Sequence, residues 1–421
     1  MLSKTDSAEK ISQRLFSRVN RGIKYELERM VRVAEECGNP QNFCRCFHVA
    51  GTNGKGSTCS FLESILRAQG FKTGLFTSPH ILDFSERFRI NGVSVEKQSW
   101  VEVYHDIEHL IEKYNLTFFE ASTLIAFELF RRENVEWAVY ETGMGGRLDA
   151  TNIVRPEISI ISKISMDHAE YLGSSLYDIA GEKLGIIQSK VPLVMALPER
   201  PDIINRAINC CEENECELTF VGAADVFDLA SGGNKTCFTW KHQKFDIPCL
   251  GTFQAINAAL ALTAIEKSGV ADPCSMKTGL RSAKIPGRFQ VETIGEKTVV
   301  LDVAHNEDSI EVLASTVRAH FGDKRVLVVL GVMRDKKISE MVERIAECAD
   351  ALIFCEPDNP RSAKPEELSA AVGEYFIGEV SVSENVKDAV RTALISQYEV
   401  ICIAGSFFTV GEAASELGVT V

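Results

Sequence analysis

Gly51, Gly54, Lys55, Gly56 and Ser57 are the residues whose types and spacing most directly imply chemistry; they lie in the run FHVAGTNGKGSTCSFLESILRAQG, Phe47 to Gly70. Glycines let backbone amides turn inward around an anion, a lysine adds a point charge for the outer phosphates, and a following hydroxyl is placed to ligate magnesium. The pattern is a compressed P-loop: only two residues separate Gly51 from Gly54 where the general form has four, and Gly56 stands between lysine and hydroxyl. The apolar residues before Gly51 read as a buried strand. After it, Phe61, Leu62, Ile65 and Leu66 recur at helical spacing, so the loop opens a helix whose positive end faces the anion.

Other polar residues stand where strands end. FKTGLFTSPH reads as a strand carrying Ser78, Pro79 and His80 at its end, and VEWAVYE, Val135 to Glu141, drops a carboxylate into the glycine-rich turn TGMGGRLDATN. EISIISKISMDH repeats the arrangement, an apolar strand ending in Asp167 and His168, and Lys183 follows in GEKLGII after a helical stretch. Strands that each end in a polar residue, followed by a loop and helix, predict an open, mainly parallel sheet with its site at the carboxyl ends. Cys44, Cys46 and His48 alternate just before the loop, and a strand with one buried face accounts for them better than a metal site does.

The elements that must position these residues follow from periodicity. Residues 21–37 form an amphipathic helix with Ile23, Leu27, Met30, Val31 and Ala34 on its apolar face, closed by Gly38-Asn39-Pro40. Residues 98–114 and 120–132 read as helices separated by Leu116, Thr117, Phe118 and Phe119. Residues 216–250 predict antiparallel strands around Gly232-Gly233-Asn234, and FQAINAALALTAIEKSG is an apolar helix. Breakers at Ile285-Pro286-Gly287-Arg288-Phe289 mark a boundary. Beyond it, four apolar strands (TVVLDVAH, RVLVVLGVM, ADALIFCE and YEVICIAGS) alternate with helices, predicting a second, smaller α/β domain.

Composition narrows the class. A chain of 421 residues exceeds one ordinary core, and 45% hydrophobic with 25% charged residues is the balance of a globular protein. The net charge of −14 argues against wholesale nucleic-acid binding, so an anionic substrate must meet a local positive site. Thirteen scattered cysteines with no Cys-x-x-Cys suggest neither a disulfide framework nor a zinc knuckle. The polar first twenty residues resemble no signal peptide and no apolar run reaches bilayer length, so the expectation is a cytoplasmic protein without membrane contact.

Taken together, GTNGKGS, FTSPH, ETGMGGRLDATN, MDHAEYLG, GEKLGII, PGRFQ and LDVAHN occur in the order seen in the folylpolyglutamate synthase and dihydrofolate synthase family of the Mur ligase superfamily. The resemblance runs from about residue 20 to residue 411. It implies an N-terminal P-loop ATPase domain of the Mur-ligase type with a mainly parallel sheet, residues 1–287, binding ATP and pterin, and a Rossmann-like α/β ligase domain, residues 288–421. It also implies ATP-dependent amide formation: a pteroate or folate carboxylate is phosphorylated and the amine of L-glutamate displaces phosphate. By the same resemblance Gly54, Lys55, Gly56 and Ser57 bind phosphates, Asn257, Arg288 and Asp302 contact the nucleotide, and His305 lies near the reacting groups. Ser57, Ser78, Glu141 and His168 surround Mg2+, with Lys183 matching a lysine carbamylated in many relatives, where it helps hold a second metal. Thr117, Phe118, Phe119 and Glu120, with Leu148, Asp149 and Ala150, match segments lining the pterin pocket. Phe118 and Phe119 read equally well as core.

The expected partners are small molecules, namely pterin or folate, L-glutamate and ATP, with no nucleic acid, no membrane and a monomeric enzyme. Three alternatives compete: a monofunctional folylpolyglutamate synthase, another Mur-type ligase, and a P-loop ATPase that makes no amide. A peptidoglycan-precursor ligase is disfavoured because such enzymes carry a further N-terminal domain and only fifty residues precede Gly51.

Overall fold

Apolar β-branched runs flanked by glycine and polar turns build two large sheets, each in its own compact unit. The structure, a computed structural model, describes residues 7–18, 26–270, 272–374 and 376–421. One unit comprises residues 1–228, 238–247 and 255–284, the other residues 229–237, 248–254 and 285–421. No helix among the described residues is long and apolar enough to cross a membrane.

Among the described residues the large sheet of the first unit has eight strands: β1 (Arg45–Ala50), β2 (Thr73–Phe76), β3 (Phe88–Ile90), β4 (Val93–Ser94), β5 (Trp137–Glu141), β6 (Ile158–Ile161), β7 (Leu193–Ala196) and β8 (Leu218–Val221). Their order is β4-β3-β2-β5-β1-β6-β7-β8, and only β3 runs against the others, pairing antiparallel with both β2 and β4. β1 is central, with Val49 opposite both Glu141 and Ile160, so the loops after β1, β5 and β6 leave the sheet side by side. That is where open α/β sheets place ligands. Central placement also corrects the expectation of one buried face: from Cys46 to Ala50 every residue of β1 is buried, because helices cover both sides of a parallel sheet.

The helix Lys55–Ala68 packs closely on the helix Pro273–Ser282. A side chain on Gly279 would stand 2.4 Å from the Ile65 Cα, and the Ser64 hydroxyl donates to the Gly279 carbonyl at 2.7 Å. Glycine is the residue that admits this approach. On the other side of β1, β2 and β5, the helices Lys97–Lys113 and Phe118–Arg132 bury Trp100, Tyr104, Leu124, Phe127 and Phe130.

Several elements depart from the pattern reading. Phe118 and Phe119 form the first turn of their helix rather than a spacer, because Thr117 caps it. The amphipathic helix is described over Glu28–Glu36 and residues 21–25, with Ile23, lie outside the described residues; its buried side is Met30, Val33 and Ala34, while Val31 faces solvent. A helix at Ala8–Ser17, masked by its polar composition, buries Ile11 and Leu15. β6 ends at Ile161, so Asp167 and His168 lie in the following loop and not at the strand end. Of residues 216–250, expected as antiparallel strands, Leu218–Val221 instead joins the large sheet as parallel β8, while β9 (Phe227–Gly232), β10 (Lys235–Trp240) and β11 (Gln243–Ile247) form a separate three-stranded sheet.

The second unit carries β12 (Gln290–Ile294), β13 (Lys297–Leu301), β14 (Val326–Leu330), β15 (Ala351–Cys355), β16 (Glu379–Ser383) and β17 (Val400–Ala404), in the order β12-β13-β17-β14-β15-β16. Only β12 is antiparallel. The four apolar strands are the buried centre, whereas β12 and β16 are edges whose mixed composition, Glu-Val-Ser-Val-Ser in β16, hides them from a hydrophobicity reading.

Candidate active site

The glycine loop between β1 and its helix is held in shape by the loop that follows β6. Gly51 has φ +147° and Gly54 has φ +89°, values that disfavour a side chain. A Cβ on Gly51 would lie 1.9 Å from the Ser162 hydroxyl. Thr52 N donates to the Lys163 carbonyl at 2.8 Å, and the Thr52 hydroxyl donates to the Ser165 carbonyl at 3.0 Å. Gly54 caps the helix Lys55–Ala68 without any side chain, leaving its first amides for an anion.

Two lysines meet on this loop. Lys55 Nζ donates to the carbonyls of Gly51 and Thr52, both at 3.2 Å, and Lys183 Nζ donates to the same Gly51 carbonyl at 2.7 Å. Lys183 comes from the helix Leu176–Leu184 and is buried. Desolvation, with the nearby Lys55 charge, lowers it to about 7, while Asp167 and Asp149 pull the other way.

Glu141, the last residue of β5, is buried beside the same helix start. One of its oxygens accepts the Ser78 amide at 3.0 Å, and a Cβ on Gly56 would stand 3.7 Å from that oxygen. Ser57, one residue along, is buried in that first turn. Asn257, from the helix Thr252–Lys267, reaches the loop from another direction: a Cβ on Gly54 would meet its Oδ1 at 2.4 Å. His168 is exposed, with φ +51°, and its Nε2 lies 3.9 Å from the Asp167 carboxylate. Among the described residues no group of three or more His, Cys, Asp or Glu side chains is placed to cage a metal. Magnesium in a phosphate site needs no such cage, since it takes one or two carboxylates and fills its shell with water and phosphate oxygens. Glu141 with Ser57 is a donor set of that kind.

The two candidate pterin segments also come together. Thr117 and Glu120 form a capping box, with Thr117 N donating to Glu120 Oε2 at 2.7 Å, and Glu120 Oε1 accepts Arg29 Nε at 2.9 Å. Phe118 is buried, stacked on Phe16 at 4.8 Å between ring centres. Phe119 is half-buried and covers Gly143, where a Cβ would meet its ring at 2.6 Å. Leu148 is half-buried and Ala150 belongs to the same apolar cluster as Phe118.

Asp149 ties up the glycine turn: Oδ2 accepts Gly143 N (2.8 Å) and Met144 N (3.0 Å), and Oδ1 accepts Thr151 N (3.0 Å) and the Thr151 hydroxyl (2.5 Å). With its proton given to Asp149, the Thr151 hydroxyl accepts from His48 Nε2 at 2.8 Å. Burial lowers His48 to about 3, so the ring is neutral.

Two models of the Mur ligase family match this chain, the middle domain over residues 49–265 and the glutamate ligase domain over residues 287–407. The dihydrofolate synthase/folylpolyglutamate synthase of Bacillus subtilis (strain 168) is 32% identical over 423 residues, covering 96% of this chain and 97% of that protein. The chain belongs to the dihydrofolate synthase/folylpolyglutamate synthase family of Mur ligases.

Solved members of the family share the whole fold. Mycobacterium tuberculosis folylpolyglutamate synthase complexed with ADP and AMPPCP superposes with a TM-score of 0.90 at 27% identity, covering 99% of this chain and 100% of that one. A bifunctional folylpolyglutamate synthase/dihydrofolate synthase with Mn, AMPPNP and L-glutamate bound superposes at 0.86 with 29% identity and covers the same shares.

In the second unit of this family member, Arg288, Asp302 and His305 gather at the end of β13. Asp302 accepts Phe289 N at 2.7 Å and Ala304 N at 2.8 Å; burial raises its carboxyl and the Arg288 charge opposes that. His305 Nδ1 donates to the Val303 carbonyl at 2.8 Å. Phe407, which the pattern reading passed over, faces both, 5.4 Å from the Arg288 guanidinium carbon and 5.7 Å from the His305 ring. Ser162 was also missed as a site residue, and Asp167 was singled out as a polar strand end but given no role. The only sequence signal for them was their place in the loop after an apolar strand.

Proposed function

We propose that this chain joins L-glutamate to dihydropteroate and to reduced folates in an ATP-dependent reaction that passes through an acyl phosphate. It is an ATP-dependent ligase using a divalent cation. The observation that carries this reading is the convergence of Lys55, Lys183, Ser78, Glu141 and Asn257 on one glycine loop. The loop sits in the same unit as a half-buried aromatic ring, Phe119, laid over the Gly143–Ala150 turn. Segments 1–287 and 288–421 act as the ATP- and pterin-binding domain and the ligase domain.

In the first step an oxygen of the acceptor carboxylate attacks the γ-phosphorus and the bond to ADP breaks. In the second, the glutamate amine attacks the acyl carbon, orthophosphate leaves, and the amine proton passes to solvent. Two anions must be pressed together in the first step, so fixed positive charge and exclusion of water carry the catalysis. Lys55 and the free amides after Gly54 hold the outer phosphates, Asn257 meets the adenine side, and Arg288 and Asp302 contact the nucleotide. His305 lies near the reacting groups. Ser57, Ser78, Glu141 and His168 would hold magnesium, which would supply positive charge against the phosphates. A Lys183 amine titrating near 7 has a neutral population able to add carbon dioxide, releasing a proton and becoming a carbamate that supports a second metal. Thr117, Phe118, Phe119, Glu120, Leu148, Asp149 and Ala150 form the pterin side, the buried ones as its support.

Incubation with ATP, magnesium, L-glutamate and either dihydropteroate or tetrahydrofolate tests the reading. ADP and a glutamylated product are expected from both acceptors. Product from the folate alone would mark a monofunctional folylpolyglutamate synthase, while hydrolysis indifferent to glutamate and pterins would mark an ATPase and end the proposal. A monomeric enzyme of the cytoplasm fits the acidic composition and small-molecule substrates.

A further inference from the structure

Arg87 is a buried cation whose charge no part of the first unit neutralises by contact. It is 5% exposed, and among the described residues no carboxylate lies within ion-pair distance of it. Its one side-chain hydrogen bond runs from Nε to His80 Nδ1 at 2.8 Å, a neutral acceptor. The guanidinium otherwise faces rings, 5.0 Å from the centre of Phe118 and 5.9 Å from that of Phe84. A guanidinium stays charged at every working pH, and although Glu141 and Glu86 favour that charge from a distance, burial outweighs them, so a counter-ion in contact would be strongly favourable.

The chain around it is built to hold it still. Asp83 and Glu86 close a capping box, and Glu86 accepts the amides of Ile81 (2.7 Å), Leu82 (2.9 Å) and Asp83 (2.7 Å). Trp100 Nε1 donates to the Ser85 hydroxyl at 3.0 Å. The Arg87 carbonyl accepts Thr77 N at 3.1 Å, and the next residue, Ser78, gives its amide to Glu141. Arg87 and Glu141 therefore flank the same two residues at the end of β2, with Phe118 on the far side of the guanidinium.

We propose that Arg87 holds the carboxylate of the acyl acceptor at the point where it is phosphorylated. The inference rests on the ligase reading above. It places a planar, two-pronged donor between the aromatic pterin side, marked by Phe118, and the metal side, marked by Glu141. A benzoate-type carboxylate joins those two parts of the substrate, and a fork of N–H donors matches its two oxygens. The triphosphate has its own cations in Lys55 and the glycine loop, so Arg87 is assigned to the acceptor and not to ATP.

The test measures binding of pteroate and of its neutral carboxamide to the full chain by calorimetry. The wild type should prefer the carboxylate by about 30-fold, the range of a charge-assisted bidentate contact. Arg87→Gln should bind both alike, with KM for ATP and for glutamate within about threefold of wild type and Tm at or above it, because an unpaired buried charge has gone. Arg87→Lys, which keeps the charge but loses the fork, should recover only part of the preference, and it decides the matter if Arg87→Gln does not fold. An Arg87→Gln or Arg87→Lys protein that keeps the full preference, or one whose KM for ATP rises as much as for the acceptor, overturns the proposal. A wild type that binds neither ligand overturns the ligase reading instead.

Discussion

Asp149→Asn separates two roles that a carboxylate in the glycine-rich turn can play, organising backbone or meeting substrate. The side chain accepts four hydrogen bonds, from Gly143 N, Met144 N, Thr151 N and the Thr151 hydroxyl. Asparagine keeps the shape but has one acceptor oxygen. If that oxygen takes the position facing Gly143 and Met144, the amide NH2 faces Thr151. The Thr151 hydroxyl can then rotate to accept from that NH2 while still accepting from His48 Nε2, but Thr151 N–H is left buried without a partner. The opposite orientation orphans Gly143 N and Met144 N together and is worse. One unsatisfied buried donor costs about 1–3 kcal/mol, and the surviving bonds lose the charge that strengthens them. Removing a carboxylate whose charged form burial disfavours offsets part of this. A net loss of about 2 kcal/mol is expected, lowering the melting temperature of the first unit's transition by about 4–8 °C. The same change loosens the turn under Phe119, so KM for dihydropteroate should rise about tenfold while KM for ATP holds. Calorimetric scans and initial rates read both. A melting temperature within about 1 °C of wild type, alongside a large rise in acceptor KM, would refute the backbone role and leave Asp149 as a substrate contact only.

Three further outcomes follow from the loop. Lys55→Ala should abolish ATP turnover while changing Tm by no more than about 2 °C, since its ammonium bonds only loop carbonyls; near-normal turnover contradicts the phosphate role. Gly54→Ala puts a Cβ 2.4 Å from Asn257 Oδ1 at φ +89°, so ATP affinity should fall at least about tenfold, and Asn257→Gly in the same chain should restore part of it by relieving the clash. The folded Lys183 amine titrates near 7, below its ordinary 10.5. Its share of stability is therefore fully present above 10.5 and is lost as pH falls through about 7. In metal-free protein kept free of carbon dioxide, denaturant-derived stability should rise by up to about 1.4 kcal/mol per pH unit between those limits. Lys183→Met should remove that slope, and an unchanged slope shows that the amine is hydrated in the native state.

How far the site could be read in advance depended on what each residue's chemistry requires of its neighbours in sequence. The glycine loop was legible because a backbone anion cradle needs glycines, lysine and hydroxyl within one turn, a strand before it and a helix after. Glu141 was legible as the polar end of an apolar strand, which β5 is. The same rule misplaced Asp167 and His168, because β6 stops at Ile161 and its continuation pairs with the glycine loop instead of with the sheet, through Lys163 and Ser165. The edge strands β12 and β16 were invisible to hydrophobicity, since an edge is half solvated and its residues are mixed.

What a motif cannot convey is which way a polar group spends its hydrogen bonds. Glu120 and Asp149 sit in segments that match a pterin pocket, yet Glu120 is committed to a helix cap and to Arg29, and Asp149 to four donors of its own turn. Arg87 shows the converse. In the sequence it is one arginine on a charged stretch, and only the packing of Phe84 and Phe118 around it, with Glu141 and Glu86 near but not in ion-pair contact, turns it into a demand for an external anion. A carboxylate whose acceptors are all filled by backbone shapes a site, whereas a cation left unfilled in the same apolar wall points outward to a ligand. The two therefore differ in what their removal does: loss of Asp149 should cost stability first and affinity second, and loss of Arg87 should cost affinity while leaving stability intact or raised.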